Sequence, residues 1–270
     1  MKFNLQHSKL AYAITLVVVG FTATQAYSLP KLNLRNITYN DGGQVKFVPP
    51  PPPPDIGIPG DRVGAGRRGC AYAENSKMLD RNKSLTALVP VSKQAAGNAV
   101  VWGLTATERP TFLFYVPYVV KQASSAKFVL RTADNKLVYQ TPVSLPQTAS
   151  VVSLRLPPTA SLEIGKQYHW YFNVYCAEKK PPVSVVHGWV QHKALAPDVQ
   201  RQLATATPNQ QVAIYLNNGI WYDAVTTAAN LRVTEPRSSA ITQQWASVLR
   251  FIGLDAIVTE PILQESGIKG

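Results

Sequence analysis

Few stretches of this chain carry residue types at spacings that chemistry uses. Gly64, Gly66 and Gly69 in "RVGAGRRGC" stand in the G-x-G-x-x-G order with which some strand–turn–helix units cradle a pyrophosphate. That fingerprint needs a strand before it, a helix after it and a ribose-binding carboxylate about twenty residues on. Here the glycines follow a run of prolines and end at Cys70, and Asp80 stands too close, so nucleotide binding is not expected. Ser124 and Lys127 reproduce the S-x-x-K spacing of penicillin-recognising enzymes, but that serine must open a helix and this one leads into a strand pattern. Neither an S-D-N nor a K-T-G triplet accompanies it, and no G-x-S-x-G occurs. His169, His187 and His192 lack the H-E-x-x-H spacing, and none has a carboxylate three or four residues away, so no metal site and no cofactor are expected. What remains is Arg62, Arg67 and Arg68 beside glycine amides, an arrangement able to accept an anion. This is the best site candidate in the sequence, and it is a binding site rather than a catalytic one.

The beginning of the chain suggests where such a site would work. Lys2 and Lys9 precede the apolar run Ala11 to Phe21, and small residues follow around "ATQAYS". That order of basic, apolar and small regions is the pattern of a secretory signal over 1–28, with cleavage between Ala26 and Ser28. As a helix the run rises about 16 Å, half a bilayer core, and no later segment is apolar enough to cross, so no transmembrane span is expected. The mature chain is expected to be exported, to the periplasm or the cell surface. Two cysteines, Cys70 and Cys176, suit an oxidising compartment and are expected to pair as a disulfide. The alternative is two separate buried thiols. The formal net charge is +12, and no acidic residue leaves with Lys2 and Lys9. A strongly basic exported protein suits anionic polysaccharide, lipid headgroups or an acidic protein; nucleic acid is not the usual resident of that space.

Architecture follows from the periodicities. Residues 29–61 form a proline-rich linker: Pro49 to Pro54 exclude helix and central strand and predict a polyproline II rod about 19 Å long, a stiff spacer. Over 62–193 the pattern is β. "RPTFLFYVPY", "AKFVLRTADNKLVYQTPV", "SVVSLRLP" and "PVSVVHGWVQHK" are short runs rich in β-branched and aromatic residues, with "ADNK" as a hairpin turn. In "YHWYFNVYC" the period of two places Tyr168, Trp170, Phe172, Val174 and Cys176 on one core face, with His169 opposite. The alternating "FLFYVPY" puts Tyr115 and Tyr118 on opposite sides, so one of them is expected to be exposed. "LEIGKQY" resembles the corner leading into a late strand of immunoglobulin-like and fibronectin-like sandwiches, where the tyrosine hydroxyl bonds back to the preceding turn. The expected fold is mainly β with α: such a β-sandwich of about seven strands, followed over 194–270 by a helical C-terminal region. There Pro197 and Pro208 mark first turns and Gly219 and Gly253 mark ends. Tyr215, Ala224 and Pro236, with Gly219 and Trp221 between, resemble a tetratricopeptide helix pair, although Pro208, Gln211 and Val212 stand where its first helix has Trp, Leu and Gly. Of the five tryptophans, Trp170 falls on the sandwich core and Trp221 and Trp245 on helix-packing faces, while Trp102 and Trp189 stay unassigned.

Five stretches occur in one order, "RVGAGRRGC", "LTALVP", "GLTATERPTFLFYVPY", "LEIGKQYHWYFNVYC" and "NNGIWYDAVTTAANLR". Together, from about Arg62 to Pro261, they resemble an exported family of photosynthetic bacteria sharing a domain of unknown function, cyanobacterial and DUF928-like. The resemblance implies an exported β part followed by helices and brings no activity, cofactor or catalytic residue. The function expected is therefore a non-enzymatic binding or scaffolding protein of the cell envelope, presenting a surface to an envelope protein or anionic polysaccharide. Two alternatives stand beside it: a hydrolase of envelope polymers, which should show converging acid, base or nucleophile groups, and an accessory protein in secretion or adhesion.

Overall fold

In a computed structural model, residues 47, 49–57, 59–64, 84–93, 98–117, 123, 125–176 and 181–264 are described, all within the unit Ile37–Gly270. The strands are β1 (Thr86–Ala87), β2 (Val91–Lys93), β3 (Ala99–Thr105), β4 (Thr111–Val116), β5 (Ser125–Thr132), β6 (Leu137–Val143), β7 (Ser150–Arg155), β8 (Gln167–Tyr175) and β9 (Ser184–His192); β4 to β9 fall on the strand runs read from the sequence, and β1 to β3 were not singled out there. The "ADNK" turn joins β5 to β6 with Asn135 at φ 67°, a left-handed conformation that Asn tolerates better than most residues. Four helices follow, α1 (Pro197–Thr205), α2 (Pro208–Asn217), α3 (Trp221–Thr234) and α4 (Ser239–Phe251), and then a 3-10 turn over Asp255–Ile257. Pro197 and Pro208 occupy first turns, where a missing N–H costs nothing. Thr207 and Gln210 close a reciprocal capping box at the start of α2. Gly219 and Gly253 end helices at φ 72° and 69°.

The strands form two sheets. One has four strands in the order β1-β4-β7-β10, and the other has six in the order β2-β3-β9-β8-β5-β6. The fold is thus mixed, two sheets followed by helices. The tenth strand, β10 (Ile262–Gln264), differs from the expectation of a wholly helical region after residue 194: it returns to pair in parallel with β7. Its three residues are too few to show a period, which is why the sequence read as helical throughout. A second parallel pairing sets β3 against β9.

The core between the sheets is built from alternate residues. Phe112 and Phe114 of β4, Phe128 of β5, and Trp170 and Phe172 of β8 point into it, with Phe114 and Phe172 rings 4.5 Å apart. The predicted face of β8 is confirmed from Tyr168 to Val174. The Glu163 N–H donates to the Tyr168 hydroxyl at 3.0 Å, the bond expected at that corner. A second core fills the space between the four-stranded sheet and the helices, where Leu113, Tyr115 and Val151 meet Trp221, Val225, Trp245 and Leu249. Tyr115 is therefore buried, and Tyr118 lies outside the described residues. Helices cover that sheet on its outer face, so β4 is apolar on both sides. Trp221 anchors the interface by donating its indole N–H to the Leu88 carbonyl at 2.8 Å. Truncating such a fully buried indole costs about 3–5 kcal/mol.

The proline run does not stand away from the fold as a spacer. Pro52 and Ile56 are buried, and Ile56 packs in a third cluster with Trp102, Trp189 and Ile220. Phe47 sits 5.0 Å from Trp221 and 5.1 Å from Phe251, ring to ring. The segment is a strap: Ile56 packs on Trp102 and Trp189, the tryptophans unassigned by pattern, Gly57 lies against the Trp189 ring, and Pro50 lies against Gly219 at the end of α2. Further on, the carbonyl of Asp61 accepts from the His187 N–H at 3.0 Å, and that of Arg62 accepts from Ala87 at 2.9 Å.

Candidate functional site

The outer face of the four-stranded sheet changes character along its length. Tyr115, Leu113 and Thr111 on β4 share that face and stand opposite Val151, Ser153 and Arg155 on β7. The first residues of each series lie beneath helices, whereas Thr111, Ser153 and Arg155 line an open cleft. Facing them, α3 presents Asp223, Thr226, Thr227 and Asn230, spaced i, i+3, i+4 and i+7 and so on one side of a helix. Its other side, Ala224, Val225 and Ala228, belongs to the apolar core. The end of β3 contributes Thr105, and the loop after it Thr107 and Arg109, to a cavity of about 450 Å³, within the range of small-ligand sites. The cleft is where the sheet–helix interface passes from apolar to polar.

Asp223 is the fixed point of this cleft. Its Oδ2 accepts from the Thr105 hydroxyl and from the Ala106 N–H, both at 2.9 Å. Burial pushes its pKa up, against those two bonds. Burial, then the Asp223 charge, likewise raises the Tyr215 phenol at the cleft wall. Behind them Tyr222, fully buried, accepts from the Trp170 indole at 2.8 Å and donates to the Trp189 carbonyl at 3.1 Å. Its phenol is pushed up by burial, so it is a structural pin rather than an acid. Thr226 Oγ1 is buried with no hydrogen-bond partner among the described residues. At the rim, Arg109 Nε lies 3.3 Å from Glu108 Oε1, and the Arg155 side chain is exposed.

A second polar cluster lies on the outer face of the six-stranded sheet. Tyr171 Oη is 2.9 Å from His169 Nδ1, His169 Nε2 is 2.9 Å from His187 Nδ1, and Asp61 Oδ2 lies 3.5 Å from His187 Nε2. A carboxylate only accepts, so His187 carries its proton on Nε2 and accepts on Nδ1. His169 then donates from Nε2 and accepts at Nδ1 from the tyrosine hydroxyl. Every nitrogen is used, and both rings are neutral. Burial, then the neighbouring His187, holds His169 down to about 4, and burial lowers His187 despite Asp61. The His169 ring also stacks on Trp189 at 4.2 Å and 12°. Among the described residues no group of three or more His, Cys, Asp or Glu can hold a metal ion.

Of the residues singled out from sequence, those that are described fall elsewhere. Arg62 donates through Nη1 to the Ile252 carbonyl at the end of α4, and burial lowers its pKa; it ties the strap to a helix and is not in the cleft. Arg67, Arg68 and Cys70 lie outside the described residues, as do Gly66, Gly69 and Ser124. Gly64 lies against Ser184 Oγ and donates its N–H to the Leu85 carbonyl at 2.8 Å, so it serves a close approach of backbone to strand. Lys127 stands mid-strand in β5, paired with Pro142 and Asn173. Cys176, just past β8, is not a free thiol.

A family model described as Domain of Unknown Function (DUF928) matches residues 63–262. The chain belongs to the DUF928 family. The matched span takes in every strand and helix named above except the last two residues of β10, so the cleft is a feature of the DUF928 region itself. No curated protein matches the chain. Among the described residues of this DUF928 protein, no helix is long and apolar enough to cross a membrane.

Of the cleft, one signal was open to sequence reading. Asp223, Thr226, Thr227 and Asn230 form a polar stripe at helical spacing within "WYDAVTTAANLR". Arg109 and Arg155 carry no such signal, because only the pairing of Thr111 with Arg155 across two strands brings them to one cleft.

Proposed function

We propose that this DUF928 chain is an exported, non-enzymatic binding protein of the cell envelope that holds an anionic partner in the cleft beside α3. The observation that carries this reading is the convergence of Arg109 and Arg155 on a cavity that, among the described residues, is lined by a single carboxylate, Asp223. Two guanidiniums recognise carboxylate, sulfate or phosphate through paired donors. Hydrolysis of a glycan commonly needs two carboxyl groups flanking the bond, and the lining supplies one. Binding is therefore favoured over the envelope-polymer hydrolase. The net charge of +12 adds attraction toward any polyanion. The test is retention of the full chain on immobilised anionic polysaccharide: it should fall with salt and fall further on Arg109→Ala with Arg155→Ala. Retention indifferent to both would remove the proposal.

We extend the reading to three finer points. The six-stranded order, with β3 parallel to β9 at one side and the β5–β6 hairpin at the other, and the Tyr168 hydroxyl bond favour an immunoglobulin-like or fibronectin-like β-sandwich. Packing of α2 against α3 favours a tetratricopeptide-like pair. Cys176 is not free and the chain has only one other cysteine. A Cys70–Cys176 disulfide follows as a proposal, adding roughly 4–5 kcal/mol in the chain-entropy model. Thiol titration of the unfolded, unreduced chain should find no free sulfhydryl; two would refute the bridge.

A further inference from the structure

We infer that the ligand of this cleft is a uronic-acid glycan, its carboxylate on Arg155 and Arg109 and its ring hydroxyls on Asp223 and Thr226. The inference rests on the binding function proposed above and narrows it from anions in general to sugar acids.

Charge is the first argument. The two guanidiniums share the cavity with the Asp223 carboxylate, and Arg109 already engages Glu108 Oε1 at 3.3 Å. The positive charge left over is small and matches one single negative charge on a ring. A doubly charged phosphomonoester or a densely sulfated ring brings more negative charge than the cleft neutralises and meets repulsion from Asp223.

Hydrogen-bond sense is the second. Both bonds to Asp223 from Thr105 and Ala106 fall on Oδ2, so Oδ1 keeps acceptor capacity. Whatever lies against an ionised carboxylate must donate. Sugar hydroxyls donate; sulfate and ionised phosphate oxygens do not. Thr226 Oγ1, buried without a partner among the described residues, is a further polar atom whose desolvation a ligand hydroxyl offsets.

Shape is the third. A cavity of about 450 Å³ suits a short saccharide rather than a protein segment with its own fold. The half-buried Tyr215 lines it, an aromatic side chain of the kind against which the C–H side of a pyranose packs.

The experiment is titration calorimetry of the full chain with three oligosaccharides of equal length: an oligouronate, its neutral counterpart and a sulfated neutral chain. The oligouronate should bind, the neutral chain should not, and the sulfated chain should bind at least tenfold more weakly, the scale of one charge-assisted hydrogen bond. Asp223→Asn should weaken the oligouronate about tenfold with its salt dependence unchanged, and Arg155→Gln should reduce that salt dependence. Thr226→Val, which keeps the side-chain shape, gives a second reading should Asp223→Asn alter folding. If oligouronate and sulfated chain bind equally and neither Asp223→Asn nor Thr226→Val matters, the sugar-acid inference fails while anion binding stands. If no anion binds, or Arg155→Gln changes nothing, both fail.

Discussion

The cleft beside α3 and the histidine chain on β8 and β9 are both polar and both partly buried, and they differ in how many hydrogen-bonding valences are used. In the chain from Tyr171 through His169 and His187 to Asp61, each nitrogen has a partner and the donor direction is fixed from end to end. A strap lies over it, and nothing is left for a ligand. In the cleft, Asp223 has capacity to spare, the Thr226 hydroxyl has no partner among the described residues, and two arginines edge a cavity. A cluster that satisfies itself holds the fold together, and one left incomplete is available for binding. Groups at a binding site often oppose stability for that reason.

Acid should separate the two clusters most strongly. His169 has its pKa held down to about 4 against an ordinary 6.5, so the folded state resists the proton that the unfolded chain accepts. That contribution is complete above about 6.5 and is lost as pH falls toward about 4, a change of roughly 3 kcal/mol. His187, also lowered, acts in the same sense. Thermal melts across this window should show the fall, and His169→Gln should flatten it. An equal slope in the variant would mean that other groups govern the acid limb.

Next in size is the strap. A methyl group at Gly60 would meet the His187 carbonyl, Val101 Cβ at 2.7 Å and Gly188 Cα at 3.0 Å. Gly60→Ala should therefore cost about 1–3 kcal/mol by denaturant titration and leave ligand affinity at the cleft as it was. Coupled loss of both would mean that the two regions are not independent.

The cleft should respond in the opposite way. Because burial disfavours the charged form of Asp223, Asp223→Asn should leave stability unchanged or raise it by up to about 1 kcal/mol while weakening binding. A large loss of stability would make Asp223 a structural residue. Smallest of all is Arg155→Ala, at an exposed strand end, expected to move stability by no more than about 0.5 kcal/mol while reducing retention on polyanions.

Legibility in the sequence followed the same division. The core face of β8, the "ADNK" hairpin, the helix starts at Pro197 and Pro208 and the helix ends at Gly219 and Gly253 were readable because each is a local pattern of period, turn residue or cap. Burial of Tyr115 was not, since it depends on helices that begin more than 90 residues later. Pro49 to Pro54 excluded helix and strand but did not show what the segment packs on, because a proline run carries no hydrophobic period that would reveal a neighbour. Both polar clusters needed register. His169 and Tyr171 are adjacent on one strand face, yet His187 reaches them only through the pairing of β8 with β9. Arg155 reaches the α3 stripe only because β7 pairs with β4 and the helices lie on that sheet. Of the arginines chosen from sequence, Arg62 proved to be a tie to the end of α4.

The most direct test of the central claim is amide hydrogen exchange of the full chain with and without an oligouronate, read along the backbone. Binding in the cleft should add protection over 105–111 and across α3 and leave β8, β9 and the strap at 55–64 unchanged. Protection on the histidine face instead, or none anywhere at saturating ligand, would contradict it.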